Sequence, residues 1–154
     1  MKIYSQLKNK IMKKILLIMA VTLGSFVYGQ NISNSAVPSA VASKFSALYP
    51  SSKAEQWKNA KGNYETKFTQ DNTKMCVVID PSGNVVKTST SINVSELPKS
   101  VSDYVAKNYP KQKISEACKT MEADGKVKYE AKVKESHLCF DADGNFVKSE
   151  KRKS

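Results

Sequence analysis

Histidine and tryptophan each occur once in this chain, as His137 and Trp57. One imidazole and three scattered cysteines match no structural zinc pattern. No triad, paired-acid site or metal-ligand set can be assembled, so the residues predict neither an enzyme nor a cofactor. The cysteines, Cys76, Cys118 and Cys139, are odd in number, so at least one stays outside any intramolecular bridge. The chain is not disulfide-dense, and its fold must rest on an apolar core. No basic stripe is interleaved with aromatics, which removes nucleic acid as a partner. No apolar run reaches the ~20 residues of a membrane-spanning helix. What remains, 40% hydrophobic and 25% charged residues, is ordinary globular composition.

The N-terminus carries the most specific signal. Lys13 and Lys14 precede an apolar run, Ile15 to Leu23, followed by Gly24 to Gly29 and then polar Gln30-Asn31. This is the pattern of a secretory signal, with Val27 and Gly29 at the −3 and −1 positions and cleavage before Gln30. The expected location is outside the cytoplasm, periplasmic or secreted. Met12-Lys13-Lys14 itself reads as a natural start. Five of the 25 basic residues lie in this leader and all 14 acids beyond it, so the body carries 20 basic against 14 acidic residues, a net of +6.

Beyond the leader one pattern is written twice. Val37-Pro38, Val41, Phe45 and Tyr49-Pro50 recur as Leu97-Pro98, Val101, Val105 and Tyr109-Pro110, at an offset of 60. Tyr64-Glu65-Thr66-Lys67-Phe68 recurs as Tyr129 to Val133, and Ile79-Asp80-Pro81-Ser82-Gly83-Asn84 as Phe140 to Asn145. Order is kept and offsets change only where loops fall, which marks a duplication.

Each copy predicts one helix and four strands. Proline suits the helix start, and the residue before proline leaves the α region, so each Tyr-Pro closes its helix. Val41, Phe45 and Leu48 share one helical face, as do Val101, Tyr104 and Val105. Tyr64, Thr66 and Phe68 alternate with Glu65 and Lys67 as a half-buried strand. Met75, Val77 and Ile79 form the next, and Gly83-Asn84 and Gly144-Asn145 turn hairpins into the last. A strand near Lys53–Asn59, echoed near Lys113–Met121, opens each sheet. The fold class is therefore α+β: two tandem modules, each an N-terminal helix packed on a four-stranded antiparallel meander. The divisions are a leader 1–29, a short linker 30–36, modules 37–93 and 94–150, and a basic tail 151–154. Val41, Phe45, Leu48, Val77, Ile79, Val101, Val105, Leu138 and Phe140 form the expected core.

The ordered set Leu/Val-Pro, helix, Tyr-Pro, Trp57, Gly62-x-Tyr64-Glu65 and Asp80-x-x-Gly83-Asn84 resembles the PepSY-like, β-lactamase-inhibitor-like exported modules of Bacteroidota. The resemblance covers about Val37 to Glu150 and implies a non-enzymatic binding or inhibitory protein. The second copy departs from it at Ala117, where the first has Trp57.

One helix covers one sheet face, so the other is left for solvent or a partner. Strand alternation sends Glu65, Lys67, Cys76, Val78, Glu130, Lys132, His137 and Cys139 to that bare face, with Lys74 and Lys134 on or beside it. Val78 and the cysteines are expected as an uncovered apolar centre with a charged rim. Trp57, Lys67, Val78, Lys132 and His137 are the candidate partner-binding residues; Trp57 has the competing role of a core residue. Cys139 lies two residues from His137, ~6.6 Å along a strand, too far for direct proton transfer. Asp141-Ala142-Asp143-Gly144 resembles the start of a calcium loop, but its glycine falls at position 4 and Arg152 at position 12, so a hairpin turn explains it. Two functions follow: presentation of the bare face to a protein partner in the cell envelope, or binding of an anionic lipid or glycan surface through lysines and the tail.

Overall fold

The computed structural model describes residues 30–151. The proposed leader, its cleavage site and residues 152–154 of the tail lie outside the described residues. Among the described residues no helix is long and apolar enough to cross a membrane.

The elements run β1 (Gln30–Ile32), α1 (Ser39–Leu48), β2 (Trp57–Ala60), β3 (Asn63–Gln70), β4 (Thr73–Ile79), β5 (Val85–Ile92), α2 (Lys99–Asn108), β6 (Ile114–Glu122), β7 (Val127–Val133), β8 (Ser136–Phe140) and β9 (Phe146–Lys151). Both copies have the expected helix and four strands. All nine strands join one antiparallel sheet in sequence order. The copies fuse where β5 pairs with β6, from Lys87↔Glu122 to Ile92↔Ala117.

The segment read as a linker, 30–36, is β1 and a 3-10 turn, Asn34–Ala36. Its pairing Ile32↔Trp57 is repeated by Ile92↔Ala117, and its turn by Val94–Glu96. The end of β5 therefore serves the second copy as β1 serves the first. A module begins with the strand that leads into its helix.

Pro38 and Pro98 sit just ahead of the helices, with ψ of 143° and 140°. Tyr49 and Tyr109 leave the helical region at φ −131° and −129° before Pro50 and Pro110. Val41 and Phe45 pack into one cluster with Trp57, Phe68, Val77 and Ile79. Val101 and Val105 pack into the other with Leu97, Ala117, Ala131, Val133, Leu138 and Phe140. Leu48 departs from its expected burial and is 44% exposed. It is the last helical residue, and Tyr49 instead turns onto the sheet, 4.3 Å from the Phe68 ring.

Trp57 and Ala117 occupy equivalent places, both buried. The second copy has its own aromatic group: Tyr104 stacks on Phe146 at 4.6 Å and meets Phe140 edge-on at 5.5 Å.

The two Asp-x-x-Gly-Asn turns are closed by their own aspartates. Asp80 Oδ1 accepts from the Ser82 and Asn84 backbone N–H groups and Oδ2 from the Asn84 amide; Asp141 does the same with Asp143 and Asn145. The Asn84 and Asn145 hydrogen bonds hold both carboxyls below the usual aspartate range. The turn chemistry thus accounts for residues that resemble a calcium loop.

Candidate functional site

Register shows which side chains share a face. One row, Phe68–Met75–Thr90–Lys119–Tyr129–Phe140, crosses β3 to β8 and carries residues of both helix-covered clusters. Both helices therefore lie on the same side of the continuous sheet. The valley between them exposes Met121, which pairs with Thr88 on β5.

The opposite face carries no helix. Its rows are Lys58–Glu65–Val78–Lys87–Glu122, Lys67–Cys76–Ser89–Thr120–Lys128, Ser91–Cys118–Glu130–Cys139–Lys148 and Glu116–Lys132–His137–Glu150. All the residues expected there from alternation are found there. Every aromatic side chain of the described residues lies on the helix side, within the two clusters or stacked on them.

Of the five candidate contact residues, Trp57 is only 4% exposed, inside the helix-covered cluster against Phe45. Its core role prevails, because its strand position faces α1. Lys67 is exposed on the bare face. Val78 shares that face but is 5% exposed, and it belongs to neither helix-covered cluster. Its cross-strand neighbours are Glu65 and Lys87. Long charged side chains bury such a residue under their aliphatic stems. The centre of the face is therefore charged at its surface, not an uncovered apolar patch. Lys132 and His137 are direct cross-strand neighbours. The structure thus groups Lys67 with Val78 and Lys132 with His137. Three or more strand spacings, ~14 Å, separate the two pairs.

The charges of the second copy are satisfied locally. Lys132 Nζ donates to Glu116 Oε1 at 2.8 Å, which holds the Glu116 carboxyl below its ordinary range. Lys128 pairs with Glu122 and Lys148 with Glu150, and the latter bond raises the lysine's pKa. His137 Nδ1 lies 2.5 Å from Glu130 Oε1, so the ring engages a carboxylate across the strand. Glu116, Glu122, Glu150 and Lys87 were not singled out by sequence. Their partners depend on the register between strands, although alternation alone could have placed them on this face.

No disulfide joins the cysteines, which all occupy the bare face. Cys118 and Cys139 flank Glu130, two strand spacings or ~9.6 Å apart, beyond the Cα reach of a disulfide. Burial and the Glu65 carboxylate push the Cys76 thiol up to about 12, far from the depressed values that make a nucleophile. Among the described residues no three His, Cys, Asp or Glu side chains converge as for a metal ion.

A family model described as "Putative beta-lactamase-inhibitor-like, PepSY-like" matches the chain twice, over residues 27–87 and 80–148. Three solved structures share the fold. One, from Bacteroides eggerthii and described among "putative periplasmic proteins", has a TM-score of 0.66 at 15% identity, covering 75% of this chain and 88% of that one. A DUF2874 family protein from Bacteroides uniformis gives 0.63 at 15% identity, over 74% and 88%. A BLIP-like protein from Bacteroides fragilis gives 0.56 at 20% identity, over 74% and 86%. No curated protein matches the chain.

Proposed function

Since the chain belongs to the PepSY-like, β-lactamase-inhibitor-like family, we propose that it is an exported, non-enzymatic binding protein whose uncovered sheet face engages a protein partner in the cell envelope, in the manner of an inhibitor. One observation carries this reading. Both helices cover the same side of a nine-stranded sheet, leaving the other side continuous across both copies. Such a surface offers fixed side chains on a rigid scaffold. The leader pattern supports export, and the periplasmic description of the fold relative from Bacteroides eggerthii agrees with it.

A lipid or glycan surface is the weaker reading. Interfacial membrane binding normally pairs lysines with exposed Trp, Phe or Leu. Here the aromatic side chains lie on the helix side. The test is capture from envelope extract by the chain starting at Gln30, compared with Lys67→Glu/Lys132→Glu. Lys67 is exposed and Lys132 half-buried on the bare face, and circular dichroism verifies that the double variant folds. Its recovery of a specific partner should fall about tenfold or more. A Lys44→Glu/Lys107→Glu variant, altered on the helices, should capture normally. Equal capture by all three proteins would remove the bare face from the account.

A further inference from the structure

The duplication supplies an internal control on charge. Lys67 and Lys132 are equivalent, as are Lys87 and Lys148. Lys132 is neutralised by Glu116 and Lys148 by Glu150. The first copy has Gln56 where the second has Glu116, and Ser89 where the second has Glu150. Neither replacement can neutralise a lysine. The Gln56 amide donates to the carbonyls of Ile32 and Trp57, so it fastens β1 to the sheet. Ser89 hydrogen-bonds Thr120 at 2.8 Å.

Lys58, Lys67, Lys74 and Lys87 therefore share the first copy's bare face, and none of them forms an ion pair among the described residues. Glu65 lies in their midst, Glu55 shares a cleft with Lys58 and Lys67, and Glu122, across from Lys87, is already engaged by Lys128. Four lysines against Glu55 and Glu65 leave a net of +2 on the first copy's half. On the second copy's face, Glu116, Glu122, Glu130 and Glu150 meet Lys128, Lys132 and Lys148, a net of −1 with His137 neutral. An arrangement that pairs its charges in one copy and leaves the equivalent lysines unpaired in the other has a partner-shaped gap.

Resting on the bare-face reading above, we infer that the first copy's half of the face docks an acidic segment of a protein partner, its carboxylates taking the place that Glu116 and Glu150 hold in the second copy. Carboxylates suit the spacing because Lys58 and Lys87, three strand steps apart, frame a cross-strand row of ~5 Å steps. Docking on exposed lysines is steered by charge and screened by salt.

The test uses a ten-residue polyglutamate peptide as probe, followed by two-dimensional amide NMR and calorimetry on the chain from Gln30. Shifts should centre on Lys58, Lys67, Lys74 and Lys87, and affinity should fall as salt rises. Lys67→Gln/Lys87→Gln should weaken binding about tenfold. Lys132→Gln/Lys148→Gln should leave it unchanged, since those lysines are already satisfied. The reciprocal variant Glu116→Gln/Glu150→Gln should bring Lys132 and Lys148 into the titration as a second site. Lys67, Lys148 and Glu116 are exposed and Lys87, Lys132 and Glu150 half-buried, and the amide spectrum verifies the fold of each variant. Equal weakening by both lysine pairs would overturn the inference. So would tighter binding to phosphatidylglycerol vesicles than to the peptide, which would assign the patch to lipid. If partner capture is lost in Lys67→Glu/Lys132→Glu while the peptide fails to bind, the face stands and only its acidic ligand is wrong.

Discussion

Replacing Phe45 with alanine should destabilise the protein by about 3–5 kcal/mol, the range for truncating a buried aromatic. Phe45 is 5% exposed and is the hub of the first core. Its ring lies 5.1 Å from Phe68, 5.4 Å from Tyr49 and 5.7 Å from Trp57. These three neighbours come from β3, from the end of α1 and from β2, so no single shift closes the cavity. Only Val41 accompanies Phe45 as a buried residue of α1. Without the ring the helix keeps one buried anchor. Against a typical total of about 5–15 kcal/mol, the loss is a large share of the stability. Urea unfolding followed by circular dichroism measures it. A change under about 1 kcal/mol would show that α1 is not seated on the sheet as described.

The second large effect is expected at Gly83. This residue has φ +88°, in the region that disfavours side chains, and it closes the hairpin between β4 and β5. A Cβ there would lie 2.9 Å from the backbone carbonyl oxygen of Ala40, in the first turn of α1. The helix start and the turn are packed together, and a backbone atom cannot swing aside. Gly83→Ala combines conformational strain with overpacking and should cost about 2–4 kcal/mol. Gly62 provides the control, with φ +83° and nothing within 4 Å of a Cβ. Gly62→Ala should cost about 1 kcal/mol from strain alone. Equal urea midpoints for the two variants would mean that the turn does not touch the helix.

Much of this architecture was legible in the sequence because its determinants are local. Tyr49-Pro50 and Tyr109-Pro110 end helices by a steric rule that needs no tertiary contact. Asp80 and Asp141 close their turns with bonds inside five residues. Alternation placed Glu65, Lys67, Glu130, Lys132 and His137 on the correct face because no irregularity interrupts β3 or β7 along those stretches. What depends on distant partners was not legible. The Lys132–Glu116 bond joins strands whose pairing is shifted between Ile114 and Glu116, and alternation cannot anticipate a bulge. Leu48 fits the helical face on paper, but the helix ends there and Tyr49 takes the contact. Residues 30–32 read as linker because three residues show no periodicity; only the pairing of Ile32 with Trp57 reveals their strand.

The two outer edges show how one module serves two positions. The β5 residues Ser89, Thr90, Ser91 and Ile92 pair with β6 inside the sheet. The equivalents of Ser89 and Thr90 in β9 are Glu150 and Lys151. Charge on a terminal strand discourages pairing with another chain. The same place in the fold carries small hydroxyl side chains in β5, which is paired on both sides, and charges in β9, which lies at an edge of the described sheet.

A binding surface on the side of the sheet away from both helices is tested most directly by lysine footprinting. The captured complex and the isolated chain are acetylated under limiting reagent, and modification is read by mass spectrometry. The prediction is that Lys58, Lys67, Lys74 and Lys87 lose reactivity in the complex, while Lys44 on α1 and Lys107 on α2 keep theirs. Protection of Lys44 and Lys107 with the four bare-face lysines still reactive would contradict it, and would put the partner on the helices.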